Sequence, residues 1–274
     1  MHLSISGLTE SLFLKFKDLF QSESGISLKD YKKYLVEYRL QKFVGPGRPF
    51  TNFNEYYTAL LQDRTGALRT EFINALTTNF TYFFREEIHF QFVAFYLRRK
   101  APSESYLRFW SAGCSTGEEA YSIALTCLEH DPLLHLKDAR ILATDISQRV
   151  LSFASRGVYH YSKIKGNVRD PQLRKFFSFD PEKKEFHVKD SVKRLVSFKY
   201  LNLMDSYPFN KQFDIVFLRN VLIYFDNQEK SLILQKIWDV IKPRGYLILG
   251  LSESLVGVPH RFTYLKHSIY RKDQ

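Results

Sequence analysis

Cysteine is nearly absent. The two present, Cys114 and Cys127, lack the close spacing of a thiolate metal site and cannot form a disulfide framework, which points to a reducing compartment. The eight histidines do not cluster with cysteine or carboxylates, so no metal is expected. No apolar run approaches the roughly 18 residues that a membrane-spanning helix needs. The opening Met-His-Leu-Ser shows no basic leader followed by an apolar stretch, so no signal peptide is expected. A cytoplasmic chain without membrane insertion is the expectation. There is no G-x-G-x-x-G and no Walker lysine, which disfavours phosphate binding. Internal repeats and low-complexity segments are missing too.

What is present suits a globular chain of more than one core. The length of 274 residues, 45% hydrophobic and 25% charged, allows one large domain and a smaller one. Aromatics are abundant at 16% and spread throughout, as core filling requires. Net charge is +11, and residues 151–200 hold twelve Lys and Arg against five Asp and Glu, +7 of that excess. Such a patch favours an acidic partner or nucleic acid, or is a solvated surface.

Residues 1–75 read as helical. Ser27 and Asp30 have capping-box spacing, and Leu28, Tyr31, Leu35 and Tyr38 follow at helical spacing until Gly45-Pro46-Gly47. Lys29, Lys32 and Arg39 share another face, fit either to receive an acidic helix or simply to stay solvated. From about residue 106 apolar strands alternate with helices. The strands are Leu107–Ala112, Arg140–Thr144, Val196–Tyr200, Phe213–Leu218 and Tyr246–Leu251; helices include Glu118–His130 and Asn227–Ile241, the latter ending at Pro243-Arg244-Gly245. This pattern predicts an α/β fold with a parallel sheet covered on both faces. Phe262–Leu265 and Ser268–Arg271 flank Lys266-His267 as an antiparallel closing hairpin. Within residues 170–195, Phe176–Phe179, Glu185–Val188 and the run near Arg194 read as a small β insertion.

Ligands of open α/β sheets gather at the carboxyl ends of the strands. Four such ends carry Gly113, Asp145, Asn202 and Asn220. The first strand runs into Gly113-Cys114-Ser115-Thr116-Gly117-Glu118-Glu119. Acidic residues at that helix start would repel a pyrophosphate and suit a cationic ligand such as S-adenosylmethionine (SAM), or merely complement the helix dipole. Asp145 is placed to accept hydrogen bonds from ribose hydroxyls, or to cap the next helix.

Several motifs together resemble the CheR-type chemotaxis receptor methyltransferases. They are Thr77-Thr78-Asn79-Phe80-Thr81-Tyr82-Phe83-Phe84-Arg85-Glu86, preceded by Phe72-Ile73-Asn74-Ala75-Leu76; Trp110 through Glu119; Ala143-Thr144-Asp145-Ile146; and Arg219-Asn220-Val221-Leu222-Ile223-Tyr224-Phe225. The resemblance implies a helical N-terminal domain (1–75), a linker with the signature helix (76–105), and a SAM-dependent methyltransferase, Rossmann-like domain (106–274) carrying the β subdomain. It implies that Asn79, Thr81 and Arg85 face the SAM site, that Glu119 and Asp145 bind its polar parts, that Asn202 and Leu203 contact the adenine end, and that Arg219 and Asn220 line the site. The products are glutamate methyl esters and S-adenosylhomocysteine (SAH). The implied partners are chemoreceptor cytoplasmic helices, with a receptor C-terminal peptide at the β subdomain as a further candidate.

A glutamate acceptor is ionised at neutral pH, so no general base is needed. Arg85 is the candidate to orient it through a bidentate pair, unless it forms a structural ion pair with Glu86 or Glu119. Tyr224 either donates a hydrogen bond near the methyl or is a core aromatic. Two other readings stand beside this one. One is a SAM-dependent nucleic-acid methyltransferase, favoured by the basic stretch but lacking an Asn-Pro-Pro-Tyr motif after the fourth strand. The other is a non-catalytic SAM-binding module. No edge or apolar helix declares an interface, so a monomer is expected.

Overall fold

The computed structural model describes residues 7–99, 106–131, 134 and 137–273. The first six residues and the end of the 76–105 linker lie outside these. The amino-terminal unit is helical: α1 (Glu10–Ser24), α2 (Lys33–Leu40), α3 (Phe53–Gln62) and α4 (Ala67–Leu76). Each has a local reason to begin or end where it does. Thr9 Oγ1 accepts from Leu12 N and caps α1, which stops at Gly25 in the left-handed region. Asn52 caps α3. Asp63 collects the N–H groups of Thr65, Gly66 and Arg69 ahead of α4, and these hydrogen bonds hold its carboxyl down to about 2. The core is aromatic, with Phe13, Phe16, Phe20, Tyr56 and Phe72 all fully buried.

The reading of residues 28–38 as one helix with an inward face of Leu28, Tyr31, Leu35 and Tyr38 is corrected, although Leu28 itself is buried. Asp30–Lys32 is a 3-10 turn, without a side-chain cap, and the α-helix starts only at Lys33. The change of period shifts the buried face to Val36 and Leu40, leaving Tyr31 and Tyr38 82% and 65% exposed. The signature Thr77–Glu86 is itself irregular; the helix after it is α5 (Ile88–Arg99).

The second unit is built on a seven-stranded sheet. Its strands are β1 (Tyr106–Ala112), β2 (Asp138–Asp145), β6 (Val196–Tyr200), β7 (Phe213–Leu218), β8 (Ile241–Leu249), β9 (Thr263–Lys266) and β10 (Ile269–Arg271), in the order β6-β2-β1-β7-β8-β10-β9. The first five are parallel and β10 is antiparallel, slotted between β8 and β9. This is the parallel sheet with an antiparallel closing hairpin that the sequence pattern predicts. α6 (Glu118–His130) and α7 (Gln148–Arg156) join α5 on one face; α11 (Asn227–Val240) lies on the other. The capping box on α11 is present, with Glu229 N donating to Asp226 Oδ1 and Asp226 N to Glu229 Oε2. Pro243-Arg244-Gly245 does not end that helix. It is a bulge inside β8, where a residue without an N–H is tolerated.

The β insertion is a separate three-stranded sheet, ordered β3 (Val158–His160), β5 (Glu185–Val188), β4 (Phe177–Asp180). Its third strand therefore precedes residue 170. The run near Arg194 follows the short helix α10 (Asp190–Lys193) and is not a strand, because it turns to enter β6. Two further short helices, α8 (Tyr161–Ile164) and α9 (Asp170–Phe176), complete the insertion. Phe83 of the signature packs edge-on against Tyr159 and Phe177, tying the linker to this subdomain.

Candidate active site

One cavity of about 280 Å³ opens at the carboxyl ends of the parallel strands, where the helical unit meets the sheet. All eleven side chains or backbone positions singled out from the sequence lie in its wall. Gly113 follows β1, Asp145 ends β2, Asn202 and Leu203 follow β6, and Arg219 and Asn220 follow β7. The irregular signature lays Asn79, Thr81 and Arg85 across the opening, and Tyr224 comes from the turn after β7. Left-handed backbone occurs in and beside the cavity wall. Phe84, Glu86, Ser115 and Asn220 all have φ between 51° and 57°, a region costly for residues other than glycine. Gly113 has φ 79°, and a Cβ there would approach Val221 Cγ2 to 2.5 Å.

The inner end is acidic. Asp145 accepts from Ser115 N and Ser147 N, both at 2.9 Å, and has no cationic partner among the described residues. Burial raises its carboxyl, and those N–H groups pull it back. Glu119 accepts from Ser111 Oγ and from Arg219 Nη1 at 2.8 Å. Arg219 also pairs with Glu86 at 3.1 Å and donates to Arg85 O. Two carboxylates thus flank one guanidinium, and this cluster keeps a net negative charge. Burial pushes the Glu86 carboxyl up, but Arg219 and the Leu251 N–H outweigh it. His89 Nε2 lies 2.8 Å from His267 O. Burial and nearby Arg219 lower its imidazole to about 4, so it is neutral at pH 7, with Nε2–H donating to that carbonyl. Glu118 differs from its neighbour. It turns inward, accepts a hydrogen bond from the Thr116 hydroxyl at 2.6 Å, and is 2% exposed. Only Glu119 of the acidic pair faces the cavity.

The outer end is basic. Lys32, Arg39 and Arg85 line it, and none has an ion pair among the described residues. The Arg85 guanidinium donates to Phe80 O at 3.0 Å and lies 5.6 Å from the Phe80 ring centre. Glu86 and Glu119 are held by Arg219 instead, so the structural ion pair considered for Arg85 does not form. Arg39 is drawn off the solvated stripe expected for it: it donates to Leu76 O, Thr77 O and Thr78 Oγ1 and so fixes the entry to the signature. Burial raises the Tyr224 hydroxyl, against the pull of Arg85 and Arg39, so it remains an O–H donor at neutral pH.

Two positioning groups, Glu253 and Asn74, escaped the sequence reading. Glu253 is 7% exposed and accepts from Asn220 N, Val221 N and Gly250 N, locking the loops after β7 and β8 together. Asn74 is 2% exposed and accepts the Ser147 hydroxyl proton at 2.7 Å, joining α4 to α7 behind Asp145. Asn202 donates to Glu23 O and accepts from Met204 N, so part of its amide is committed to the domain junction. A polar residue amid apolar neighbours was the available signal for Glu253 and Asn74.

Comparison with known proteins agrees with this geometry. Residues 11–77 match the family described as CheR methyltransferase, all-alpha domain, and residues 79–271 match CheR methyltransferase, SAM binding domain. The chain is 36% identical over 263 residues to a chemotaxis protein methyltransferase of Vibrio anguillarum, covering 94% of each. It is 38% identical to that of Vibrio parahaemolyticus over the same shares, and 38% identical to that of Borreliella burgdorferi over 91% of this chain and 89% of the other.

Proposed function

The chain belongs to the CheR methyltransferase family, and on that footing we propose that it methylates glutamate side chains on the cytoplasmic helices of a chemoreceptor. It is a SAM-dependent methyltransferase. The observation that carries the choice of acceptor is the charge gradient of this cavity, acidic inside and basic at the mouth. A cationic donor is favoured at the inner end and an anionic acceptor at the outer.

The inner wall fits the cofactor. Gly113 leaves room where a side chain would collide, Asp145 retains free lone pairs for hydroxyl donors, and Glu119 offers a carboxylate to a cationic group. Asn79, Thr81, Asn202, Leu203, Arg219 and Asn220 complete the proposed binding set. When bound, SAM supplies a methyl group on a positively charged sulfur. The remaining work falls to the protein. Arg85 orients the acceptor carboxylate at the mouth without a competing carboxylate of its own. Tyr224 donates a hydrogen bond beside it. No residue has to remove a proton, since the acceptor is already ionised. Alignment and exclusion of water are the main contributions.

The same reading divides the chain into a helical domain (1–75), a linker (76–105) and a SAM-binding domain (106–274). The family matches to residues 11–77 and 79–271 support it. It places the enzyme in the cytoplasm as a monomer, with a receptor C-terminal peptide contacting the β subdomain. No helix among the described residues is long and apolar enough to cross a membrane. The test is transfer of labelled methyl from SAM to a receptor cytoplasmic fragment. Label released as methanol by mild alkali identifies carboxyl esters. Alkali-stable label, or label on nucleic acid, would exclude the proposed acceptor.

A further inference from the structure

The two faces of the seven-stranded sheet are covered unequally. α5, α6 and α7 pack on one face. On the other, α11 covers β7 and β8 through Ile233, Leu234 and Ile237. The crossover from β6 to β7, residues 201–212, must return along this second face, yet it contains no helix. Crossovers of parallel sheets ordinarily supply that cover. Here Tyr207 and Phe209 fold over Trp110, and the starts of β1, β2 and β6 remain open.

A second cleft, of about 260 Å³, lies there, lined by Arg108, Arg140, Leu142, Phe209, Lys211 and Phe213 among others. Its floor is apolar and its rim cationic. Arg108 and Arg140 are direct partners across β1 and β2, with strand spacing of only about 4.8 Å, so like charges stand side by side. One carboxylate, Asp138, serves three cations: it pairs with Arg108, with Lys211 at 3.0 Å and with Arg140 at 3.9 Å. The Arg140 and Lys211 side chains stay 56% and 52% exposed. Three cations share one carboxylate, so the rim carries an excess of positive charge that suits an anionic partner.

We propose that this cleft docks an acidic amphipathic helix of a partner protein, which takes the place of the missing crossover helix. Its apolar stripe lies on Leu142 and Phe209, and its carboxylates meet Arg140 and Lys211. A helix is favoured over an added strand because the open area is a sheet face rather than an edge. The cleft sits at the amino ends of the strands, about 20 Å along them from the reaction cavity. A bound helix therefore leaves the acceptor's route free.

The experiment is fluorescence anisotropy with a labelled synthetic helix carrying leucines on one face and glutamates on its flanks. Its control is a peptide of the same composition in scrambled order. The helix is expected to bind the intact protein about tenfold more tightly than the scramble. Arg140→Glu with Lys211→Glu should weaken it by about tenfold or more while the thermal midpoint holds. Should that pair fail to fold, Arg140→Gln with Lys211→Gln reads the same loss at smaller amplitude. Equal binding of helix and scramble, or no response to either pair of substitutions, overturns the proposal. So does tighter binding at this face by a single-stranded oligonucleotide, which would make it a nucleic-acid surface.

Discussion

Arg219 Nη1 and Glu119 Oε2 meet at 2.8 Å, with the arginine side chain only 1% exposed. Arg219 holds Glu119 in the cavity wall and Glu86 behind it. Replacing it with Met strands two carboxylates at a buried position, at a cost of about 3–5 kcal/mol. Thermal unfolding should show a clear drop in midpoint, and SAH affinity should fall with it. A midpoint equal to that of the parent would mean the carboxylates find other partners.

Arg85 makes the opposite kind of contact, with a backbone carbonyl and a ring rather than a carboxylate. Arg85→Ala should reduce turnover roughly 100-fold, the scale of a misaligned acceptor, while sparing most SAH binding. Arg85→Lys keeps the charge but loses the planar fork and should fall between the two. Steady-state kinetics beside calorimetry separates these effects. Loss of cofactor affinity with normal turnover at saturation would remove Arg85 from the acceptor side.

Asp145 presents acceptors to two backbone N–H groups. Asp145→Asn must turn an NH2 toward one of them, costing about 1–3 kcal/mol, and should weaken SAH binding. Because burial raises this carboxyl, affinity in the parent should decline on acidification at a pH above the ordinary carboxylate range. Titration calorimetry across acidic pH reads this directly; an affinity flat down to the usual carboxylate pKa would count against Asp145.

His89 sets a stability slope. Its imidazole titrates near 4 in the fold and near 6.5 in the unfolded chain. Above about 6.5 both states are neutral and the contribution is complete. Between there and 4 only the unfolded state takes up the proton, so stability falls as pH falls, by about 3 kcal/mol in all. Denaturant unfolding between pH 7 and 4 should show this slope. His89→Gln retains a donor for His267 O and should flatten it.

The sheet and cavity were legible because strand ends are where an apolar run stops and a turn residue follows: Gly113, Asp145, Asn202 and Asn220 each mark such a stop. What stayed hidden depends on contacts remote in sequence. The acidic pair itself does not tell Glu118 from Glu119: the nearby Thr116 hydroxyl engages one, but it is the distant Arg219, just after β7, that holds the other at the cavity. Val158–His160 is too short to signal a strand until β5 lies beside it. The buried face of α2 moved because a 3-10 turn precedes it, a difference of a few dihedral angles that periodicity does not see.

The slotting of β10 between β8 and β9 has a consequence for biosynthesis. Among the described residues β9 hydrogen-bonds in the sheet only to β10, so neither it nor β8 has its outer partner until the last strand is in place. Until Ile269–Arg271 emerges, β8 is an open edge, with apolar Leu247, Ile248 and Leu249 waiting beside it. A chain ending just after Lys266 should therefore be an aggregation-prone product rather than a slightly shortened enzyme.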